Sequence, residues 1–181
     1  MALQSIKWVG NETGAPAHIV TKPEGSSEVF EIGDLVIYDI SEDGVVAVAA
    51  TSGEPDAVLM LGIALTDATG TAGSPIDVLI PQHGDIFEAC LASGASARVA
   101  PDEQNIGQLY SLVKMSTATH DAITAVLEGG SGDFVKVYEL SGKDATRLGV
   151  DLKGSETTLD TQSRVLFKFI AAALDSAGTQ A

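Results

Sequence analysis

Three groups of residues have the types and spacing for chemistry. The first is Asp39-x-Ser41-x-Asp43-Gly44, where oxygen donors at alternate positions ahead of a glycine match the opening of a calcium loop. Such a loop ends on a bidentate glutamate at its twelfth position and lies between helices. Counting from Asp39, the twelfth residue is Ala50, and the flanks "DLVIY" and "VVAVAA" have the composition of strands. Asp-Gly between β-branched runs is a hairpin signal, and Asp and Ser side chains bond the backbone of such turns. The segment reads as a corner, and no metal is assigned.

The second group is Asp77, Asp85 and Glu88, with His83 close by in "PQHGD". Paired carboxylates beside an imidazole suit acid-base hydrolysis. Alternation puts Glu88 on the face of Ile86 and Cys90 with no matching partner, so a solvated sheet face or an interface rim is the default. His18, His83 and His120 all sit in loop-like settings and read as surface histidines. The third group is Cys90, which has no basic neighbour in sequence to lower its pKa and reads as a buried thiol. "GGSGD" around Ser131 is not a nucleophile elbow and reads as a linker, and "GTAGSP" lacks the lysine and following helix of a phosphate loop. Asn11-Glu12-Thr13 matches a glycosylation sequon by chance. Catalytic, cofactor-binding and metal-binding residues are therefore assigned to none, and no cofactor is expected.

The elements that would hold these residues follow strand grammar. From Val29 to Leu91 short apolar runs alternate with turn residues, as an antiparallel meander would: "VFEIGDLVIYDI", "GVVAVAA", "VLMLGIAL", "PIDVLIP" and "DIFEACLAS". Gly62 inside one run signals a bulge or a close backbone approach. In "RVLFKFI" Val165, Phe167 and Phe169 share a face opposite Lys168, and in "FVKVYEL" Val135 and Val137 oppose Lys136. "PDEQNIGQLYSLVKM" could open as a helix with Asp102 as N-cap, but Gly107 sits where that helix would propagate and "QLYSLVKM" alternates, so a short turn followed by a strand near Tyr110 is favoured. The stretch "SGKDATRLGVDLKGSETTLDTQS" reads as a long connection with one weak strand near Leu148 to Leu152. Residues 1–28 carry prolines, scattered glycines and isolated anchors, and read as an extended arm that the domain does not need in order to fold. Trp8 has no local core there, so it docks either on its own domain or on a neighbour.

Composition narrows the function classes. The 181 residues, 45% hydrophobic and 19% charged, suffice for one domain with a real core. Twenty-five acidic residues against 10 basic ones give a net charge of -15, which repels phosphate backbones and makes nucleic acid an improbable partner. The lone cysteine rules out an internal disulfide. "MALQSIKWVGNETG" lacks the apolar core of a signal peptide and "VLMLGIAL" is too short to cross a bilayer, so a soluble cytosol-made protein without membrane contact is expected. Aromatics at 5% argue against a carbohydrate-binding or adhesin module.

The order "GDLVIYD", hairpin, "GVVAVAA", "LMLGIALTDA", "PIDVLIPQHGDIFEA" and finally "DTQSRVLFKFI" resembles the small head-decoration, or capsid cement, proteins of tailed bacteriophages. The resemblance covers roughly Phe30 to Glu88 and, more loosely, the last strand; residues 1–28 and 94–162 carry no matching phrase. It implies a non-enzymatic structural protein, made in the host bacterial cytoplasm and placed on the outer capsid surface of the virion. Its partners would be the major capsid protein and itself, as a homotrimer at local three-fold positions. A head-fibre base or tail component would share the same grammar, and a hydrolase using Asp85, Glu88 and His83 is the enzymatic alternative.

The fold expected is all-β, a compact antiparallel barrel or sandwich over residues 29–175, with the arm over 1–28 and a frayed tail over 176–181. Ile6, Trp8 and Ile19 on the arm are the expected contacts to the capsid or to a neighbouring protomer.

Overall fold

A computed structural model describes residues 5–41, 43–47, 60–93, 98–117, 120–127, 134–141, 164–170 and 174. Their regular structure is strand apart from one 3-10 turn and a helical Leu174. The strands are β1 (Lys7–Asn11), β2 (Ile19–Pro23), β3 (Leu35–Asp39), β4 (Gly44–Ala47), β5 (Met60–Ala64), β6 (Pro75–Leu79) and β7 (Asp85–Ala92). They continue with β8 (Arg98–Val99), the turn at Glu103–Asn105, β9 (Leu109–Thr117), β10 (His120–Leu127), β11 (Val135–Leu140) and β12 (Arg164–Phe169). The all-β expectation holds.

The larger, seven-stranded sheet is organised on β7. Its pairings run β7, β10, β9, β11, β12 and return to β7, while β1 and β8 attach to β7 as well. All are antiparallel except β10 with β7, which run parallel at Val126 and Leu127 against Leu91 and Ala92. Period-two alternation decides which side chains face in. Phe87, Ala89 and Leu91, Val135 and Val137, and Val165, Phe167 and Phe169 line one core, with Lys136 exposed on the opposite face. Phe169 meets Phe87 edge-on at 5.1 Å and Phe167 at 5.7 Å between ring centroids, an arrangement aromatic rings favour.

The smaller, five-stranded sheet has the order β2-β6-β5-β3-β4. It curls until its edges touch: Glu24 bridges to Val45, and the Gly25 amide donates to the Val45 carbonyl at 2.9 Å. At its centre both faces are apolar and buried, β5 along its whole length. Val36, Val45, Leu61, Ile76 and Val78, with Phe30 and Ile80, form an inner cluster, while Leu35, Met60, Ile63 and Leu79 on the other face join the core of the larger sheet. The molecule is thus a sandwich of two sheets that each curl back on themselves. Gly62 fulfils both readings of a strand glycine: the β3 to β5 register slips there, and a Cβ would lie 2.3 Å from the Leu79 carbonyl oxygen.

Several expectations are corrected. Residues 1–28 do not form an extended arm where they are described: β1 pairs with β7 and β2 with β6 in register, because their backbone donors and apolar side chains find partners on strands distant in sequence. The boundary at residue 28 therefore falls inside the fold. Nor is the 29–91 region one meander. The first run opens as a loop and becomes strand only at Leu35, and at Gln82 to Gly84 the chain turns out of the smaller sheet. Gly84 adopts φ 87° and the Asp85 amide bonds back to the Gln82 carbonyl, so β7 enters the larger sheet. The favoured short turn before β9 is present as a single 3-10 turn in place of a helix, and Asp102 caps it through the Gln104 amide at 2.8 Å. The weak strand near Leu148 to Leu152, Ser131 and the 176–181 tail lie outside the described residues.

Closure of the smaller sheet rests on a missing side chain. A Cβ on Gly44 would stand 2.5 Å from the Gly25 nitrogen and 2.6 Å from the Glu24 carbonyl carbon, neither of which can retreat without opening the seam. Gly44→Ala is expected to lower stability by about 1–3 kcal/mol in urea denaturation. Gly10→Ala, where a Cβ meets nothing within 4 Å, should stay within about 0.5 kcal/mol of the parent.

Candidate interaction surface

The carboxylates singled out by sequence are each held by a different set of donors. Asp85, 2% exposed at the start of β7, accepts from Trp8 Nε1 at 3.2 Å, Asn11 Nδ2 at 2.9 Å and the Gln82 amide at 2.8 Å. Glu88 faces Arg164 Nε at 3.6 Å, Lys7 Nζ at 3.8 Å and the Ser141 hydroxyl at 3.4 Å. Asp77 accepts from the Thr21 hydroxyl on β2 at 2.6 Å. Asn11 is engaged at both ends of its amide, donating to the His83 carbonyl as well as Asp85 and accepting from the Thr13 amide and hydroxyl, which supports the reading of the sequon as chance. His18 Nδ1 meets the Gln82 side-chain amide at 3.0 Å, His83 is exposed in the corner, and the His120 side chain lies outside the described residues.

The acidic hairpin is a corner. Asp39 Oδ1 accepts from the Ser41 amide at 2.8 Å and hydroxyl at 2.6 Å, and Asp43 takes φ 49° and accepts from the Tyr38 hydroxyl at 2.8 Å. That bond is the main reason the Tyr38 phenol is held above its usual range. Among the described residues no three His, Cys, Asp or Glu side chains converge as metal ligands would. Cys90 is buried. No helix among the described residues is long and apolar enough to cross a membrane.

Two buried acids escaped the sequence reading because their partners lie far along the chain. Asp34, 1% exposed, accepts from Lys114 Nζ at 2.8 Å and the Ser5 hydroxyl at 3.0 Å. Glu24, also 1% exposed, accepts from the Thr69 amide and hydroxyl and, at 2.6 Å, from the Gly70 amide, pinning loop 69–73 to the end of β2. No local pattern announces either; Gly33 before Asp34 is the nearest signal, since its φ of 91° and the Ile6 carbonyl 2.6 Å from a would-be Cβ require glycine.

The three expected contact residues separate. Ile6 is 3% exposed in the shared core, where its burial contributes about 1.5–3 kcal/mol to folding, so it is withdrawn as an outside contact. Trp8 packs partly against the same core with its indole nitrogen on Asp85, which resolves its docking in favour of its own domain. Ile19 is 52% exposed on β2. Other large aliphatic side chains also stand in water, chiefly Val29 at 81% and Ile40 at 82%, with Val9, Ile32, Ile106 and Leu109 near half exposure. The sequence hid Val29 and Ile32 because both looked like the opening of a buried strand. No protein-family model matches the chain, and no curated protein matches it.

Trp8 is the only tryptophan, so Asp85→Ala has an optical readout. Removing the acceptor should shift tryptophan emission to the red and lower stability by about 1–3 kcal/mol. At Glu24 burial pushes the carboxyl pKa up, but the Thr69 hydroxyl and the Thr69, Gly70 and Thr71 amides outweigh it and hold it below the usual range. A folded value below the unfolded one adds stability above the ordinary glutamate range, and that contribution fades as pH falls through the lowered value. Glu24→Gln should therefore cost about 1–3 kcal/mol at neutral pH and flatten the fall in stability between about pH 5 and pH 3 seen in urea midpoints.

Proposed function

We propose that this chain is a structural virion protein that binds the outer surface of an assembled tailed-bacteriophage capsid and stabilises it, as trimers at local three-fold positions. One observation carries the reading: Asp34, Asp77, Asp85, Glu24 and Glu88 are all spent on joining strands and loops of this chain, whereas Ile19, Val29 and Ile32 stand in water. That is the distribution of a scaffold made to be held by other proteins. The segments that resemble the head-decoration group are β3, β4, β5, β6, β7 and β12, which lie in both sheets.

The charge supports the same role. A net charge of -15 keeps the protein soluble before docking and repels packaged nucleic acid. Many modest apolar contacts repeated over a lattice accumulate into firm attachment through effective concentration. Purified protein mixed with undecorated heads of the phage that encodes it is expected to add localised density at three-fold positions in electron micrographs. Heads that stay bare at saturating protein would refute the proposal.

A further inference from the structure

The loop between β2 and β3 places two aliphatic side chains on a rigid mount. Val29 is 81% and Ile32 50% exposed, while Phe30 between them is 2% exposed and fills the inner cluster of the smaller sheet. Scattered aliphatic exposure is ordinary on a loop. This loop, however, is tied down along its length. The Phe30 carbonyl accepts from the Ala68 amide at 2.9 Å, the Ile32 amide donates to Asp67 Oδ1 at 2.9 Å, and Gly33 bonds the Ala64 carbonyl at 2.8 Å and the Ile6 amide at 3.0 Å. On the facing side, loop 69–73 is held by Glu24.

The backbone carrying Val29 and Ile32 is therefore ordered by folding, and a partner meets it without the entropic cost of fixing a loop. Glu31 and Asp67, both exposed, place negative charge around the pair. Anionic lipid and nucleic acid are repelled by that field, whereas a protein surface of aliphatic side chains flanked by lysine or arginine complements it in both respects.

We infer that Val29 and Ile32 form the docking point for an aliphatic segment of a partner protein flanked by lysine or arginine, a role that rests on the capsid-binding reading and assigns the segment to the major capsid protein. The test uses the full chain and its Val29→Ser/Ile32→Ser variant, with Ile40→Ser as an equally exposed control on the β3–β4 turn. The probes are undecorated heads and immobilised short peptides in which leucine or isoleucine alternates with lysine. The parent should bind both, and more weakly as salt rises from about 50 mM to about 500 mM and the screening length shortens. The double variant should lose about tenfold or more on both probes, with an unchanged thermal midpoint, and Ile40→Ser should bind as the parent does. A double variant that binds heads like the parent, a loss no larger than that of Ile40→Ser, or a parent that ignores the peptides would overturn the docking point. Peptide binding lost in the double variant together with heads that stay bare would uphold the docking point and sink the capsid reading.

Discussion

Taking the Asp34 carboxylate out of water is the constraint around which the two sheets are arranged. Asp34 leads into β3 of the smaller sheet, Lys114 lies on β9 of the larger one, and Ser5 comes from the segment ahead of β1; all three meet at hydrogen-bonding distance. A buried ion pair adds little over apolar side chains of the same size, yet one charge left without the other costs about 3–5 kcal/mol. The pair therefore rejects any placement of the sheets that separates Asp34 from Lys114. Ile6 follows Ser5 into the shared core and donates its amide to the Gly33 carbonyl at 3.0 Å, so polar and apolar demands agree on one geometry.

The same agreement gives the N-terminal segment its place. Lys7 to Asn11 lie on β7, Trp8 and Asn11 converge on Asp85, and Arg164 Nη2 on β12 donates to the Ser5 and Glu88 carbonyls. Strands from both ends of the described chain thus meet at β7.

What could be read from sequence was local. The hairpin at Asp39 to Gly44, the short turn before β9 and the inward faces of β11 and β12 each depend on neighbours within a few residues, where turn chemistry and period-two alternation act. The partner of each strand was not legible. Trp8 and Asp85 are 77 residues apart, Glu24 and Thr69 are 45 apart, and Asp34 and Lys114 are 80 apart, distances at which side-chain types carry no register. Prolines and glycines made β1 and β2 look like an arm, although Gly10 sits at a register shift and Pro23 at the end of its strand, both places a sheet tolerates. Burial of both faces of β5 removed the alternation that would have told its inside from its outside.

The position of β12 has a consequence for how the molecule is made on the ribosome. Every described strand of the smaller sheet has been synthesised by Leu79, whereas the circuit of the larger sheet lacks its closing strand until Arg164 to Phe169 emerge. At about 5–20 residues per second, the intervening stretch of roughly 85 residues takes about 4–17 s. Over that interval the Met60, Ile63 and Leu79 face is a nascent apolar surface awaiting its cover, and the growing chain relies on its strong negative charge to keep neighbouring copies apart.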